Sequence, residues 1–163
     1  MRKIIRQRQI VEDACRYPDE SGDAATTAQP VLTLAEYLAA ATVGTAAKTG
    51  GAVQLEPGDE VEKLVPLLSQ LALIVVHFPK DGEGRGFSQA QLLRQRYGYQ
   101  GELRARGPVK RDYLFFLARC GFDAFDLHPE ENLAAALAAF ETFTAAYQPS
   151  SGDGVALRAR RAR

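Results

Sequence analysis

From residue 51 onward, short apolar runs alternate with amphipathic stretches in a regular way. Residues 52–56 read as a strand, 59–71 as a helix, 72–78 as a buried strand, 89–97 as a helix, 102–106 as a strand, 108–120 as a helix, 124–127 as a strand and 129–147 as a long helix. Four consecutive βα units imply parallel strands joined by right-handed crossovers, so the expected class is α/β. Boundary chemistry agrees. Ser88 and Gln91 have capping-box spacing, with Phe87 and Leu92 placed as its hydrophobic staple. Gly98 and Gly121 stand where helices end, and Pro108 and Pro129 suit first turns. Pro66 lies inside 59–71, so that helix is expected to kink or to be shorter.

The first 50 residues are less regular. Two β-like runs, 3–5 and 9–11, predict a small hairpin or an edge strand. Residues 17–30, rich in Asp, Ser, Gly, Thr and Pro, read as a loop. Residues 32–41 form a short helix candidate, with Thr33 as cap and Glu36 completing a capping box. A single α/β domain over 1–148 is expected, followed by a flexible basic tail at 149–163 that holds Arg158, Arg160, Arg161 and Arg163.

Side chains alternate faces along a strand. One set is apolar: Val53 and Leu55, then Ile74, Val76 and Phe78, then Leu103 and Ala105, then Phe125 and Leu127. The other set is Gln54 and Glu56, then Leu73, Val75 and His77, then Arg104 and Arg106, then Ala124 and Asp126, and it turns polar toward the strand ends. A doubly wound sheet meets helices on both faces and needs both apolar. A half-barrel-like sheet, wound one way with helices on one side, fits better, and a flavodoxin-like doubly wound sheet is the alternative. Ligands of α/β proteins bind at the carboxyl ends of the strands. Glu56, His77, Arg104 and Asp126 therefore form a candidate catalytic constellation: two carboxylates, an imidazole and a guanidinium, suited to proton transfer on an anionic substrate. The competing reading has this face covered by the first 45 residues or by a second subunit, with the same groups in structural ion pairs.

A second candidate is the loop 78–87, Phe-Pro-Lys-Asp-Gly-Glu-Gly-Arg-Gly-Phe, running into the helix predicted to start at Ser88. Glycines let backbone approach a ligand, and a helix start supplies free N–H groups, so Lys80, Gly84, Arg85, Gly86 and Ser88 are expected to bind an anion such as phosphate, sulfate or sulfite. Arg106 and Gly107, at the end of the next strand, should lie on the same edge and contribute. The spacing matches neither a Walker loop nor a dinucleotide fingerprint. A flexible turn with solvated charges is the competing reading.

Charge adds weight to an anion. The chain of 163 residues has a formal net charge of zero, but 80–119 contains nine basic and four acidic residues, a surplus of five, and the remainder is correspondingly acidic. Other partners are less expected. No run of about 18 apolar residues predicts a membrane span, and the N-terminus lacks a signal-peptide core, so a cytoplasmic location is expected. The tail arginines stand beside no aromatic platform, which makes nucleic acid an unlikely partner. Cys15 and Cys120 are too few for a disulfide framework or a four-ligand zinc site, and Cys120 is expected to be buried. No metal site and no flavin, nicotinamide, haem or iron–sulfur motif is legible. Two half-barrels facing each other would make a homodimer.

The stretch Gly84-Arg-Gly-Phe-Ser88, Leu92-Leu-Arg-Gln-Arg-Tyr-Gly-Tyr99, Gly101-Glu-Leu-Arg-Ala105, Arg111-Asp112 and Arg119-Cys-Gly-Phe-Asp-Ala-Phe125 resembles a bacterial family of unknown function. The likeness extends more weakly to Ile4-Ile5 and Ile10-Val-Glu-Asp13 and covers most of 1–148. That family is catalogued as a probable oxidoreductase involved in sulfite reduction, because its genes lie beside sulfite reductase. The resemblance implies an accessory protein of assimilatory sulfate and sulfite reduction that binds an oxyanion or the reductase itself. The residues alone leave open an enzyme, an oxidoreductase or acid–base catalyst, acting on a small anionic sulfur or phosphate metabolite.

Overall fold

A computed structural model of the chain describes residues 2–20, 28–45 and 51–140. The expected tail, 149–163, lies outside the described residues. Nine strands are present among them: β1 (Lys3–Arg6), β2 (Gln9–Glu12), β3 (Cys15–Arg16), β4 (Gln29–Pro30), β5 (Leu32–Thr33), β6 (Ala52–Leu55), β7 (Leu73–His77), β8 (Glu102–Arg106) and β9 (Ala124–Asp126). Seven of them form one sheet in the order β2-β1-β9-β8-β7-β6-β5. The strands β5 to β9 are parallel and neighbours in chain order, whereas β1 joins β9 antiparallel and β2 closes the hairpin. Right-handed crossovers that always step the same way place every crossover helix on one face. This is the winding of a half-barrel; a flavodoxin-like order would reverse direction.

The helices are α1 (Leu34–Thr42), α2 (Arg85–Gln91), α3 (Leu114–Cys120) and α4 (Leu133–Ala139). Their shared face of the sheet is the apolar set. Val53, Leu55, Ile74, Val76, Leu103, Ala105 and Phe125 pack with Leu64, Leu93, Leu114 and Leu117 in one cluster, each fully or almost fully buried. Each such aliphatic side chain contributes about 1.5–3 kcal/mol.

Helix boundaries follow local chemistry. Thr33 caps α1, and Glu36 returns the bond to the Thr33 N–H, which completes the expected capping box. The 59–71 helix is instead a 3₁₀ helix at Val61–Gln70, because Pro66 lacks the amide an α-helix needs there. The helix expected over 89–97 begins earlier, at Arg85, so Ser88 lies inside α2 and caps nothing. Gly86 explains the early start: a Cβ there would lie 2.7 Å from the Phe78 ring, so only glycine lets this turn press onto β7. After Gln91 the chain widens to a π-helix at Leu92–Arg96, with the Tyr97 N–H bonded to the Leu92 carbonyl. Neither proline starts its helix. Arg111–Tyr113 is a 3₁₀ turn before α3, and α4 starts after Asn132, whose side chain accepts from the Ala134 and Ala135 N–H groups.

The opposite face of the sheet is covered by the N-terminal segment. Tyr17 and Val31 pack on Ala52, Leu73 and Val75, with Cys15 beside them and the short parallel pair β3–β4 above. No helix among the described residues is long and apolar enough to cross a membrane.

Candidate functional site

Strand register fixes which polar residues of the covered face meet. His77 is level with Arg106 on β8, and Arg106 with Asp126 on β9. Glu56, one residue beyond β6, reaches the same row: His77 Nδ1 lies 2.9 Å from both of its carboxylate oxygens. The row therefore reads Glu56, His77, Arg106, Asp126 along the carboxyl ends of four strands. Arg104 belongs one level deeper, opposite Val75 and Ala124.

The two arginines live in different surroundings. Arg104 is 3 % exposed; its Nη1 donates to Asp13 at 2.8 Å and also to the Tyr17 hydroxyl, while Nε donates to Glu102 at 2.8 Å. Burial works against its charge, but Tyr17, Glu102 and Asp13 outweigh burial and raise its pKa. Arg106 stacks on the Tyr17 ring, 4.0 Å from its centroid. Its Nη1 donates to both oxygens of Asp19 at 2.8 and 3.0 Å, Nη2 donates to Glu20 at 3.4 Å, and Nε lies 3.4 Å from Asp126. Arg2 joins the same group, pairing with Glu20 and with Asp126 at 3.3 Å.

These groups open into a cleft of about 580 Å³, lined by Arg2, Lys3, Asp19, His77, Arg106 and Asp126 together with the segment from Leu127 to Leu133. Burial pushes the Asp126 carboxyl above its ordinary range, although Arg2 and Arg106 pull it down. Burial also acts to raise Asp19, but the bonds and charge of Arg106 prevail and hold it below the ordinary value. His77 lines the cleft with Nδ1 engaged by Glu56, a pairing of imidazole and carboxylate suited to moving a proton.

The glycine-rich loop lies on the same edge, since the Phe78 N–H bonds to the Arg106 carbonyl. Its charges are already matched. Glu83 is buried and accepts from the Arg85 backbone N–H, Nε and Nη2 at 3.0–3.2 Å, so a carboxylate of the chain stands where an external anion was expected. Asp81 is held by Lys110 and the Tyr113 hydroxyl. Lys80 lines a small apolar pocket with Phe78, Phe87 and Val109. Gly84 has open space around it, whereas Gly107, at φ +129°, would put a Cβ 2.1 Å from the Phe78 carbonyl oxygen. Gly86 and Gly107 thus serve close packing of the rim.

Sequence reasoning overlooked Arg2, Asp13, Tyr17, Asp19 and Glu20. The available signal was the acidic surplus outside 80–119: part of it sits in 13–20 and neutralises Arg104 and Arg106 across the sheet. Cys120 is buried, as expected. Burial, opposed by Arg104, pushes the Cys15 thiol up to about 11, so neither cysteine is primed as a thiolate. Among the described residues no cluster of His, Cys, Asp and Glu forms a metal site.

The family model described as a bacterial protein of unknown function (DUF934) matches residues 52–157, which span β6 to β9 and the helices between them. No curated protein matches the chain.

Proposed function

The chain belongs to this bacterial family of unknown function, and we propose, from the chemistry of its sheet rim, that it is an accessory protein of assimilatory sulfate and sulfite reduction that binds a small oxyanion in the cleft beside His77 and Arg106. The observation that supports the reading is the single row of His77, Arg106 and Asp126 opening into a cleft that Arg2 and Lys3 also line. A guanidinium fixed on an aromatic face is well placed to hold an oxyanion, and the His77 imidazole lines the same cleft. Sulfite and sulfate have the size and charge for such a cleft, and the sulfite reductase remains the protein partner that the resemblance suggests.

Calorimetric titration with sulfite and sulfate, beside pull-down with sulfite reductase, tests this. Binding that is lost in Arg106→Gln, with the circular dichroism spectrum retained, is expected. Silence with both anions and with the reductase refutes the proposal.

A second reading has its own support in the Glu56–His77 contact: an enzyme that moves a proton on a small anionic sulfur or phosphate metabolite. Under it, His77→Asn abolishes turnover of a candidate metabolite and leaves its binding intact. Equal turnover in the variant removes this reading.

A further inference from the structure

The row at the sheet rim holds an arrangement that a simple structural ion pair does not require. Arg2 and Arg106 both lie over the Tyr17 ring, 5.2 and 4.0 Å from its centroid. Both guanidiniums converge on the same two carboxylate oxygens. Glu20 Oε1 accepts from Arg2 and from Arg106, and Asp126 Oδ2 lies 3.3 Å from Arg2 Nη1 and 3.4 Å from Arg106 Nε. A third carboxylate, Asp19, accepts twice from Arg106 Nη1.

These carboxylates differ in how firmly they are held. Asp126 is on a central strand and buried, so it stays and keeps the arginines in place. The Asp19 side chain is 52 % exposed and that of Glu20 31 % exposed. Asp19 can rotate into water at small cost, because ion pairs at a solvent edge hold their partners weakly, and Glu20 follows by also releasing the Tyr17 N–H, which its Oε2 accepts at 3.3 Å. The turn that carries them is anchored separately, through the Glu20 N–H bonded to the Tyr17 carbonyl. When both side chains swing away, Arg106 and Arg2 lose two negative charges and keep one, Asp126.

We infer that Asp19 and Glu20 are resident competitors of the ligand, and that the ligand is a dianionic oxyanion bridging Arg2 and Arg106 in their place. The inference rests on the oxyanion reading above and adds to it the charge and seat of the ligand. Two departing carboxylates are replaced without net change by one dianion. A monoanion restores only one of the two displaced charges.

The experiment is calorimetric titration of the full chain with sodium sulfate and, separately, sodium nitrate at constant ionic strength, comparing the native sequence with Asp19→Asn, Glu20→Gln. Both substitutions conserve side-chain shape, at an exposed and a part-exposed position, and circular dichroism checks the fold. The double variant is expected to bind sulfate about tenfold more tightly, the joint release of two solvent-edge ion pairs, and to gain much less for nitrate. Adding Arg2→Gln to the double variant is expected to erase the gain. If the native chain binds sulfate and the double variant binds it equally or more weakly, resident competition is refuted while the oxyanion reading stands. If nitrate gains as much as sulfate, the assignment of a dianion is refuted. If neither protein binds either anion, the oxyanion reading falls and this inference with it.

Discussion

Replacing Arg94 by alanine is expected to cost about 3 kcal/mol of folding stability without touching the cleft. The side chain runs from the π-helical turn across the amino ends of the strands and uses its whole fork: Nε donates to the Gly121 carbonyl at 2.9 Å, Nη1 to the Tyr99 and Gly101 carbonyls at 2.6 and 2.9 Å, and Nη2 to Asp123 at 3.0 Å. Asp123 in turn accepts the Leu103 N–H at 2.8 Å and starts the β8–β9 pairing. Alanine strands three carbonyls and leaves a carboxylate whose pKa burial already raises. Removing one partner of a buried ion pair costs about 3–5 kcal/mol, and the part exposure of Asp123 sets the low end. That is a large share of the roughly 5–15 kcal/mol by which a domain is stable. Lysine restores a charge but not the fork, so Arg94→Lys should recover less than half of the loss. Urea unfolding followed by far-ultraviolet circular dichroism measures this as a lower midpoint at unchanged slope. A loss below about 1 kcal/mol, or an equal loss of sulfate binding in folded protein, refutes the assignment of Arg94 to the scaffold alone.

Gly107→Ala should cost about 2–3 kcal/mol in the same assay, from its positive φ and the clash with the Phe78 carbonyl, and a neutral result would mean that the rim yields. The β1–β2 turn places both Gln7 and Arg8 at positive φ, where Asn-Gly is preferred, so Gln7→Asn, Arg8→Gly should raise stability by about 1 kcal/mol despite losing the Arg8 contact with Phe140; a lower unfolding midpoint contradicts it. For Asp126 the folded carboxyl binds its proton more tightly than the unfolded one. Its contribution to stability therefore falls as pH rises from about 4 through the raised folded value. Urea midpoints across this window should show native protein losing stability relative to Asp126→Asn as pH rises, and the opposite slope rules the account out.

The sheet was largely legible because period-two alternation is a local signal. Val53, Ile74, Leu103 and Phe125 could be assigned to the helix-covered face from spacing alone, and the order of the βα units set the direction of winding. Register was not legible: how far one parallel strand slides past the next depends on the packing of its crossover. The sequence therefore could not decide which of Arg104 and Arg106 stands level with His77. The first 45 residues were an expected cover for the other face, but which of their residues pair with the strands was hidden for a related reason. Asp13 and Asp19 meet Arg104 and Arg106 over separations of 91 and 87 residues, which no spacing rule reaches. Ser88 was misplaced because capping statistics weigh side-chain hydrogen bonds, whereas α2 begins where Gly86 can touch the Phe78 ring.

Arg104 and Arg106 show how a single strand makes a scaffold and a site from one residue type. They point to the same face, about 7 Å apart along β8, and both stand beside Tyr17. One level of depth separates their roles. Around Arg104 Asp13 and Tyr17 are as buried as it is and Glu102 is largely covered, so an incoming anion would have to dissolve a desolvated network and leave Asp13 uncompensated. Around Arg106 only Asp126 is buried, whereas Asp19 is half exposed and Glu20 partly so, and water solvates both when they leave. The cost of exchanging a partner is thus concentrated at Arg104 and relieved at Arg106. Of the two arginines, the one with solvent-facing partners is thus the one at the carboxyl rim of the sheet.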